Sequence, residues 1–406
     1  MTTSGLHITA ARPASWLLDV DWSTPLIDWP KQVVSDLPRG LSRHVVRYIE
    51  VAGNILAVKE IDEELATHEY QTLHRLQRTD LPTVEPIAVV SGRSDRQGNP
   101  LPAALVTRHL HFSLPYRSLL QERMPQTRLD RILDSLAVLL VRLHLAGVYW
   151  GDVSLSNTLF RRDAGEYAAY FVDAETARIY PSLSDGQRNY DVDLARVNII
   201  GELMDLQSGD VLPEDYDVVE IGEHIVRRYN QLWEDLTGKQ VMDVNNRWEL
   251  DQRIRRLNEL GFDVGEMAID SEDDTLTVQP RIVDAGHYRR RIHDLTGLVV
   301  EEKQAQRLLN DIETYRATFG PTLPLEAAAA RWLAEVFGPT IAAIPPQMRA
   351  KLEPAQAFHE ILEHRWYLSE KAGHDVSTLE AARDYIDSQL KGRPDEEHIL
   401  NYPDQA

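Results

Sequence analysis

The stretch that decides the fold is Trp150-Gly151-Asp152-Val153-Ser154-Leu155-Ser156-Asn157, followed by Phe171-Val172-Asp173. It holds an aspartate, an asparagine five positions later, and a second aspartate directly after an apolar run. Two short strands, over 157–160 and 168–172, are predicted between them. A hairpin of this kind would bring Asp152, Asn157 and Asp173 together at one site.

A lysine stands out upstream of this stretch. The runs 44–51 and 54–61 alternate apolar and polar residues around Gly53-Asn54, and this pattern predicts a β-hairpin. Lys59 lies near the end of the second run. It is one of only seven lysines in an arginine-rich chain, so its place in an apolar strand needs an explanation beyond a solvated side chain.

A helix predicted over 62–78 follows this strand and offers acidic partners for Lys59. We favour Glu69, because it precedes Tyr70 and Leu73 on the apolar face of this helix. Glu63 and Glu64 remain alternatives.

These residues suit phosphate chemistry. Mg²⁺ ions on ATP phosphates need hard oxygen ligands, which Asn157 and Asp173 would supply. An acceptor hydroxyl needs a carboxylate that orients it and accepts its proton, and Asp152 is the candidate base. Lys59, held by a glutamate, would be the fixed cation for the phosphates.

The remaining pattern predicts the order strand, strand, helix, strand, strand, then a helical part. Further strands are expected over 86–90 and 103–107, and helices over 128–145, ending at Gly147, and over 191–206. The last of these would carry Asp191 and Asp193 in its first turn. Residues 1–30 are predicted to be irregular or partly helical, anchored by Trp16, Trp22 and Trp29.

The composition changes after about Leu212, and the rest of the chain is predicted to be mainly helical. Helical pattern is expected over 213–263, a strand over 275–283, and long helices over 287–315, 325–336, 355–372 and 377–390. Trp248, Trp332 and Trp366 sit among apolar helical positions and are expected in the core.

The bulk composition narrows the class of protein. The formal net charge is −21, so nucleic acid is not an expected partner. The chain has no cysteine and no apolar run of membrane-spanning length, and both features favour a cytoplasmic protein without an integral membrane segment. His359 and His364 are five residues apart, which places them on different faces of a helix and argues against a zinc site.

The motif stretch resembles a known family. Residues 143–159 are similar to the L-H-x-x-G-[VI]-x-[HW]-G-D-x-x-x-x-N-x-[LI] pattern of lipopolysaccharide (Kdo/heptose) kinases and aminoglycoside phosphotransferases, and about 40–206 resembles the protein-kinase superfamily. The full chain, including 358–367, resembles a lipopolysaccharide-kinase-like family of high-GC Gram-positive bacteria.

The resemblance implies an α+β, two-lobed protein-kinase-like fold with ATP and Mg²⁺ in the cleft. The expected segments are a lead-in 1–30, an N-lobe 31–107, a C-lobe 108–212 and a mainly helical C-terminal domain 213–406. By this resemblance Asp152 is the catalytic base, Asn157 and Asp173 bind metal, and Lys59 and Glu69 form the ion pair. The acceptor would be a small molecule, a sugar or a glycolipid, and the C-terminal helices offer a surface for a protein partner.

Several positions depart from the kinase pattern. No G-x-G-x-x-G precedes the hairpin, so the phosphate-covering loop is expected to depend on Arg39, Ser42 or Arg43. Ala174 and Glu175 replace the phenylalanine and glycine expected after the metal aspartate, and Glu175 is predicted to be a solvated loop acid, with metal or substrate binding as the alternative. These departures keep two other hypotheses open: a nucleotide-binding pseudokinase or regulatory module, and a scaffold that binds no nucleotide.

Overall fold

The structure is a computed structural model. It describes residues 5–30, 44–120, 126–238, 240–243, 262–272 and 275–397, together with positions 248, 252 and 255. The chain divides into two compact units. The first consists of 1–160, 169–227 and 398–406, and the second consists of 161–168 and 228–397. The segment boundaries expected from the sequence stay a prediction.

The first unit begins with an antiparallel sheet of five strands. They are β1 (His7–Ala10), β2 (Val46–Val51), β3 (Asn54–Ile61), β4 (Pro86–Ser91) and β5 (Ala103–Arg108). Their order in the sheet is β1-β4-β5-β3-β2, so β3 lies between β2 and β5. The strand β1 was not predicted: the lead-in contributes an edge strand that pairs with β4, followed by two 3₁₀ turns.

The hairpin of β2 and β3 sets the position of Lys59. Ala52 and Gly53 both have positive φ, 50° and 73°, as the two central residues of a tight type I′ turn require. The turn therefore lies one residue earlier than the predicted Gly53-Asn54. The resulting register pairs Lys59 with Val46 on one side and with Leu105 on the other, so Lys59 lies on an inner strand of the sheet.

Helix α1 (Glu63–Arg78) follows β3 and packs on the sheet. The Asp62 side chain accepts a hydrogen bond from the Glu64 backbone N–H, and this cap starts the helix. Tyr70 is buried in a cluster with Val89 and Leu105 of the sheet. The apolar face that was predicted from the sequence is thus the face that packs, and it carries Glu69 inward with it.

A helical part of the chain follows, of which residues 161–168 belong to the second unit. Its helices are α2 (Tyr116–Leu119), α3 (Gln126–Leu145) and α4 (Asp185–Ser208), and its short strands are β6 (Ser113–Pro115), β7 (Val148–Tyr149), β8 (Thr158–Asp163), β9 (Glu166–Phe171) and β10 (Arg178–Ile179). Gly147, with φ of +77°, follows α3 as predicted. The strands pair as β6-β8-β9 and β7-β10.

The prediction for helix α4 was wrong at its start. The helix begins at Asp185, where Ser184 and Gln187 form a capping box, and not at Asp191. Asp191 therefore lies two turns inside the helix, and the helix dipole does not explain it. Its side chain is fully buried and binds the backbone of the motif stretch instead.

The second unit contains helices and a small sheet. Helix α5 (Val218–Thr237) contains the boundary between the two units. The strands of the second unit are β11 (Gln240–Asp243), β12 (Phe262–Glu272) and β13 (Thr275–Ala285). Its helices are α6 (His287–Thr296), α7 (Glu302–Phe319), α8 (Leu325–Trp332), α9 (Gly338–Ala342), α10 (Pro354–Ala372) and α11 (Thr378–Ser388). None of the helices described in the chain combines the length and apolar character needed to cross a membrane.

Several predictions for this region need correction. The helical pattern expected over 213–263 holds for α5 but not for β11 or the start of β12, because these strands pair with β13. The single helix expected over 287–315 is two helices, since Gly297, with φ of +75°, ends the first. Trp332 is fully buried, as predicted, but Trp248 and Trp366 are 62% and 68% exposed.

A buried carboxylate joins the tip of the β8–β9 hairpin, residues 161–168, to helix α7 within the second unit. The Asp163 side chain accepts hydrogen bonds from the backbone N–H groups of Lys303 and Gln304, at 3.0 and 2.8 Å. These groups belong to the first turn of α7, which has no intrahelical acceptor for them. Burial, reinforced by the charge of Glu301, raises the pKa of Asp163 to about 7.

We expect Asp163→Ala to destabilise the chain by about 1–3 kcal/mol, because two buried N–H groups lose their acceptor. Asp163→Asn should cost less, since its amide oxygen can still accept. Chemical denaturation followed by circular dichroism would measure both variants. Equal losses in the two would contradict the capping role.

Candidate functional site

A cleft of about 760 Å³ lies within the first unit. Strands β2, β3 and β5 border it on one side, and the loop 152–157, the loop 172–175 and helix α4 border it on the other. This volume is in the range of small-molecule sites. All five residues singled out from the sequence line it: Lys59, Glu69, Asp152, Asn157 and Asp173.

One end of the cleft is centred on Lys59. Its Nζ lies 3.0 Å from Glu69 Oε2, 3.0 Å from Asp173 Oδ2 and 3.5 Å from Glu175 Oε2. The structure thus places Glu69 against Lys59, while Glu63 and Glu64 are exposed. One ammonium group is shared by three carboxylates that come from a helix and from the loop after β9.

Burial and charge shift the pKa of both partners in the central pair. Burial disfavours the Lys59 ammonium, but the carboxylates of Glu69 and Asp173 outweigh this effect and raise the pKa of Lys59. Burial, together with the negative charge of Asp173, raises the pKa of Glu69 to about 7 despite the attraction of Lys59. The pKa of Lys59 thus rises because carboxylates surround it, and that of Glu69 rises because it is buried beside a second acid.

This arrangement predicts a pH dependence of stability. The unfolded pKa of Glu69 is near 4.5 and the folded value is about 7, so the native state holds a proton that the unfolded state releases in this window. Stability from this group should therefore fall as pH rises from about 4.5 to about 7, by up to about 3 kcal/mol.

Glu69→Gln removes the titration and keeps a neutral side chain of the same shape. The unfolding free energy of the wild type should fall more between these pH values than that of the variant. Urea unfolding across the window measures the difference, which cancels the contributions of all other groups. Parallel curves for the two proteins would contradict the assigned pKa.

The loop after β7 carries the second part of the site. Asn157 Nδ2 donates to the backbone oxygen of Asp152 at 3.1 Å and to Asp152 Oδ2 at 3.0 Å. Because both partners are acceptors, the amide nitrogen must face Asp152, and the Asn157 oxygen points the other way. Asn157 therefore orients the Asp152 carboxylate and still presents a hard oxygen.

Gly151 allows the backbone just before Asp152 to pass close to Tyr149 and Thr176. Its φ is +80°, and a Cβ at this position would lie 3.1 Å from the Tyr149 ring and 3.3 Å from Thr176 Cβ. The preceding Trp150 is fully buried and packs edge-on against Phe171, with ring centroids 4.6 Å apart. Trp150 thus serves packing beneath the loop.

Three side chains of helix α4 hold this loop, and the sequence reasoning missed their role. Asp191 accepts from the backbone N–H groups of Trp150 and Gly151, at 2.6 and 2.8 Å. Asn198 donates to the Val153 backbone oxygen at 2.9 Å. Glu202 accepts from the backbone N–H groups that follow Ser154.

His144 supports Asp191 from helix α3. Its Nε2 lies 3.2 Å from Asp191 Oδ2, and both side chains are fully buried. Burial lowers the pKa of His144, so the neutral imidazole is the expected form. The histidine of the L-H pair therefore acts through Asp191 on the loop backbone.

Glu175 is not the solvated acid that was expected. Its side chain is 18% exposed and contacts both Lys59 and His44, with 3.0 Å between Glu175 Oε2 and His44 Nε2. An acidic residue held by two basic groups inside the cleft belongs to the site. Arg39, Ser42 and Arg43, named for the phosphate loop, lie outside the described residues.

Ala57 is a further lining residue that the sequence reasoning passed over. It lies on β3 two positions before Lys59, with Leu105 and Thr107 of β5 also lining the cleft. The run Leu56-Ala57-Val58-Lys59 is close to the V-A-I-K pattern in which a small residue precedes the phosphate-binding lysine. That spacing was the available signal.

The fit of a metal ion can be judged from the oxygens at the site. Within the described parts of the chain, no group of three or more His, Asp or Glu side chains could hold a metal ion by itself. Mg²⁺ is usually bound through one or two carboxylates together with substrate phosphates. Asp173 and the outward oxygen of Asn157 fit that incomplete kind of site. His359 lies 3.2 Å from Glu363, and His364 pairs with Asp384 of α11.

Two parts of the chain are similar to known protein families. Residues 47–205 match the model of the lipopolysaccharide kinase (Kdo/WaaP) family, and residues 231–390 match a domain of unknown function (DUF4032). No curated protein matches the chain.

A solved structure described as WaaP in complex with acyl carrier protein is similar at 20% identity, over 57% of this chain and 90% of that one, with a TM-score of 0.35. Over residues 47–205 the chain is therefore similar to the lipopolysaccharide kinase family, within a two-lobed α+β fold, and a DUF4032 region covers residues 231–390.

Proposed function

We propose that the chain is an ATP- and Mg²⁺-dependent phosphotransferase that acts on a hydroxyl group of a small molecule, a sugar or a glycolipid. One observation carries the proposal. Lys59 is bound at 3.0 Å to both Glu69 and Asp173, in the same cleft that holds Asp152 and Asn157. The family match is to kinases, which supports the same reaction class.

Each residue has a role in this reaction. Lys59, kept charged and oriented by Glu69, would bind the ATP phosphates. Asp173 and Asn157 would hold Mg²⁺, which neutralises phosphate charge when bound. The acceptor oxygen forms a bond to the γ-phosphorus, the bond from that phosphorus to the β–γ bridging oxygen breaks, and Asp152 accepts the hydroxyl proton.

The acceptor end of the cleft is formed by the Asp152 loop and α4. Ser154 and Ser156 offer hydroxyl groups, and Val197 and Gly201 offer an open, uncharged surface beside them. Polar and apolar groups next to the base suit an acceptor with hydroxyls and an uncharged body. This arrangement supports an alcohol acceptor without naming it.

A regulatory nucleotide-binding module is the second candidate. It is favoured by the engagement of Lys59 with Glu175 in addition to Glu69 and Asp173, because phosphate binding must compete with that contact. The missing glycine-rich motif points the same way. In this case the second unit would carry the interactions with partners.

The test is a thermal shift titration with Mg·ATP, followed by transfer of labelled phosphate to a panel of alcohols and sugars. The kinase proposal predicts a rise in Tm and a labelled acceptor. A rise in Tm without transfer to any acceptor would favour the regulatory module. No rise in Tm, with or without Mg²⁺, would overturn both candidates. The same proposal places the chain in the cytoplasm, where ATP is available.

A further inference from the structure

Helix α4 contributes a carboxylate to the loop that carries Asp152 and Asn157. Glu202 Oε2 accepts a hydrogen bond from the Leu155 N–H at 2.8 Å, and Glu202 Oε1 accepts one from the Ser156 N–H at 2.9 Å. The two amides are consecutive and lie between the candidate base and the candidate metal ligand. One carboxylate thus fixes the middle of the loop in a bidentate manner.

The geometry suits an ionised carboxylate. Both partners are N–H donors, so both oxygens of the side chain accept, which a carboxylate does most strongly. Burial disfavours the charged form of Glu202 and raises its pKa, even though hydrogen bonds from the two amides and from the Ser156 hydroxyl oppose the shift. A charged group kept in such surroundings needs a reason beyond helix stability.

Asn198 lies one turn earlier on the same helix and completes the arrangement. Its Nδ2 donates to the Val153 backbone oxygen at 2.9 Å. The helix therefore satisfies a carbonyl before Ser154 and two amides after it. Asp152 and Asn157 flank the segment that these two side chains hold.

We propose that Glu202 is a positioning residue of the phosphotransfer site, which acts by fixing the loop between Asp152 and Asn157. The inference depends on the proposed function, because positioning has meaning only for a reaction at this loop. Glu202 touches no reacting atom and works through the backbone of Leu155 and Ser156. Loss of it should move Asp152 relative to the acceptor while leaving the Lys59 end of the cleft intact.

Glu202→Gln separates this role from general stability. The amide side chain can accept from only one of the two N–H groups and places its own NH₂ against the other. We expect kcat to fall about 10²-fold, the scale of a misplacement of about 1 Å at a catalytic group. The KM for ATP should change little, because the phosphates are held by Lys59 and Asp173. Asp205→Asn, which removes an exposed charge from the same helix, is the matched control.

Two measurements decide the matter in the full-length protein. The first is kcat and KM for wild type, Glu202→Gln and Asp205→Asn. The second is amide hydrogen exchange at Leu155 and Ser156, which reports on the loop without any need for activity. The inference predicts a drop in kcat and faster exchange in Glu202→Gln alone.

Equal kcat values for the two variants of an active wild type would overturn the inference. Unchanged exchange at both amides would also overturn it, because Glu202 would then not hold the loop. If the wild type transfers no phosphate at all, the proposed function itself fails, and the exchange data still establish whether Glu202 orders this loop.

Discussion

Asp152→Asn is expected to lower kcat by about 10²- to 10⁴-fold, the usual contribution of a positioned general base. The substitution keeps the size of the side chain and its hydrogen bond with Asn157, whose Nδ2 now donates to Asp152 Oδ2 at 3.0 Å. It removes the carboxylate that would receive the hydroxyl proton. The binding of Mg·ATP should persist, because Lys59 and Asp173 are unchanged.

Steady-state kinetics and calorimetric titration with Mg·ATP measure the two effects separately. Asp205→Asn on the surface of α4 controls for the loss of one negative charge. A variant that keeps the kcat of the wild type would remove Asp152 from the role of base. Loss of nucleotide binding with kcat intact at saturation would instead place Asp152 among the nucleotide ligands.

Lys59→Met is expected to have the second large effect. The side chain of Lys59 is 12% exposed and that of Glu69 is 2% exposed, so the substitution leaves a buried carboxylate without its cation. Removing one member of a buried ion pair costs about 3–5 kcal/mol of stability. The kcat/KM for ATP should also fall about 10²- to 10³-fold. This is the usual loss when one hydrogen-bond donor that stabilises charge in the transition state is removed.

Lys59→Arg separates the two contributions. Arginine restores a positive charge beside Glu69 and Asp173, so much of the stability should return. Its planar guanidinium cannot reproduce the position of a single ammonium between these carboxylates, so activity should stay low. Thermal unfolding and kinetics on both variants measure this. Full activity in Lys59→Met would contradict the assigned role of the lysine.

Site residues could be predicted from the sequence where a short local pattern identifies their role. Asp152 and Asn157 share one loop, and Lys59 and Glu69 lie on consecutive elements whose periodicity is clear. Asp173 follows an apolar strand. In each case a short spacing and an apolar neighbourhood fix which way the side chain faces, so the group could be named without a three-dimensional structure.

The supporting residues could not be predicted in the same way. Asp191 and Glu202 bind backbone amides that lie 40 or more positions earlier in the chain. Every residue except proline has a backbone N–H, so the sequence of the loop does not show which of its amides a distant carboxylate binds. Asp191 was assigned to a helix start for lack of any local sign of its partner.

The strands that were missed have the same cause. The strand β1 is four residues long at a sheet edge, and its partner β4 lies about 80 residues later in the chain. In the second unit, β11 and the start of β12 lie in a region whose local pattern favours helix, and pairing with β13 decides their conformation. Tertiary pairing overrides local preference in both cases.

The central claim is that the cleft binds ATP with its phosphates between Lys59 and the metal ligands. The most direct measurement is a crystal structure with a non-hydrolysable ATP analogue and Mn²⁺, whose anomalous signal locates the ion. We predict Mn²⁺ bound by Asp173 and the Asn157 side-chain oxygen, with Lys59 Nζ within hydrogen-bond distance of a phosphate oxygen. A nucleotide bound elsewhere, or an ion that contacts neither Asn157 nor Asp173, would contradict the account.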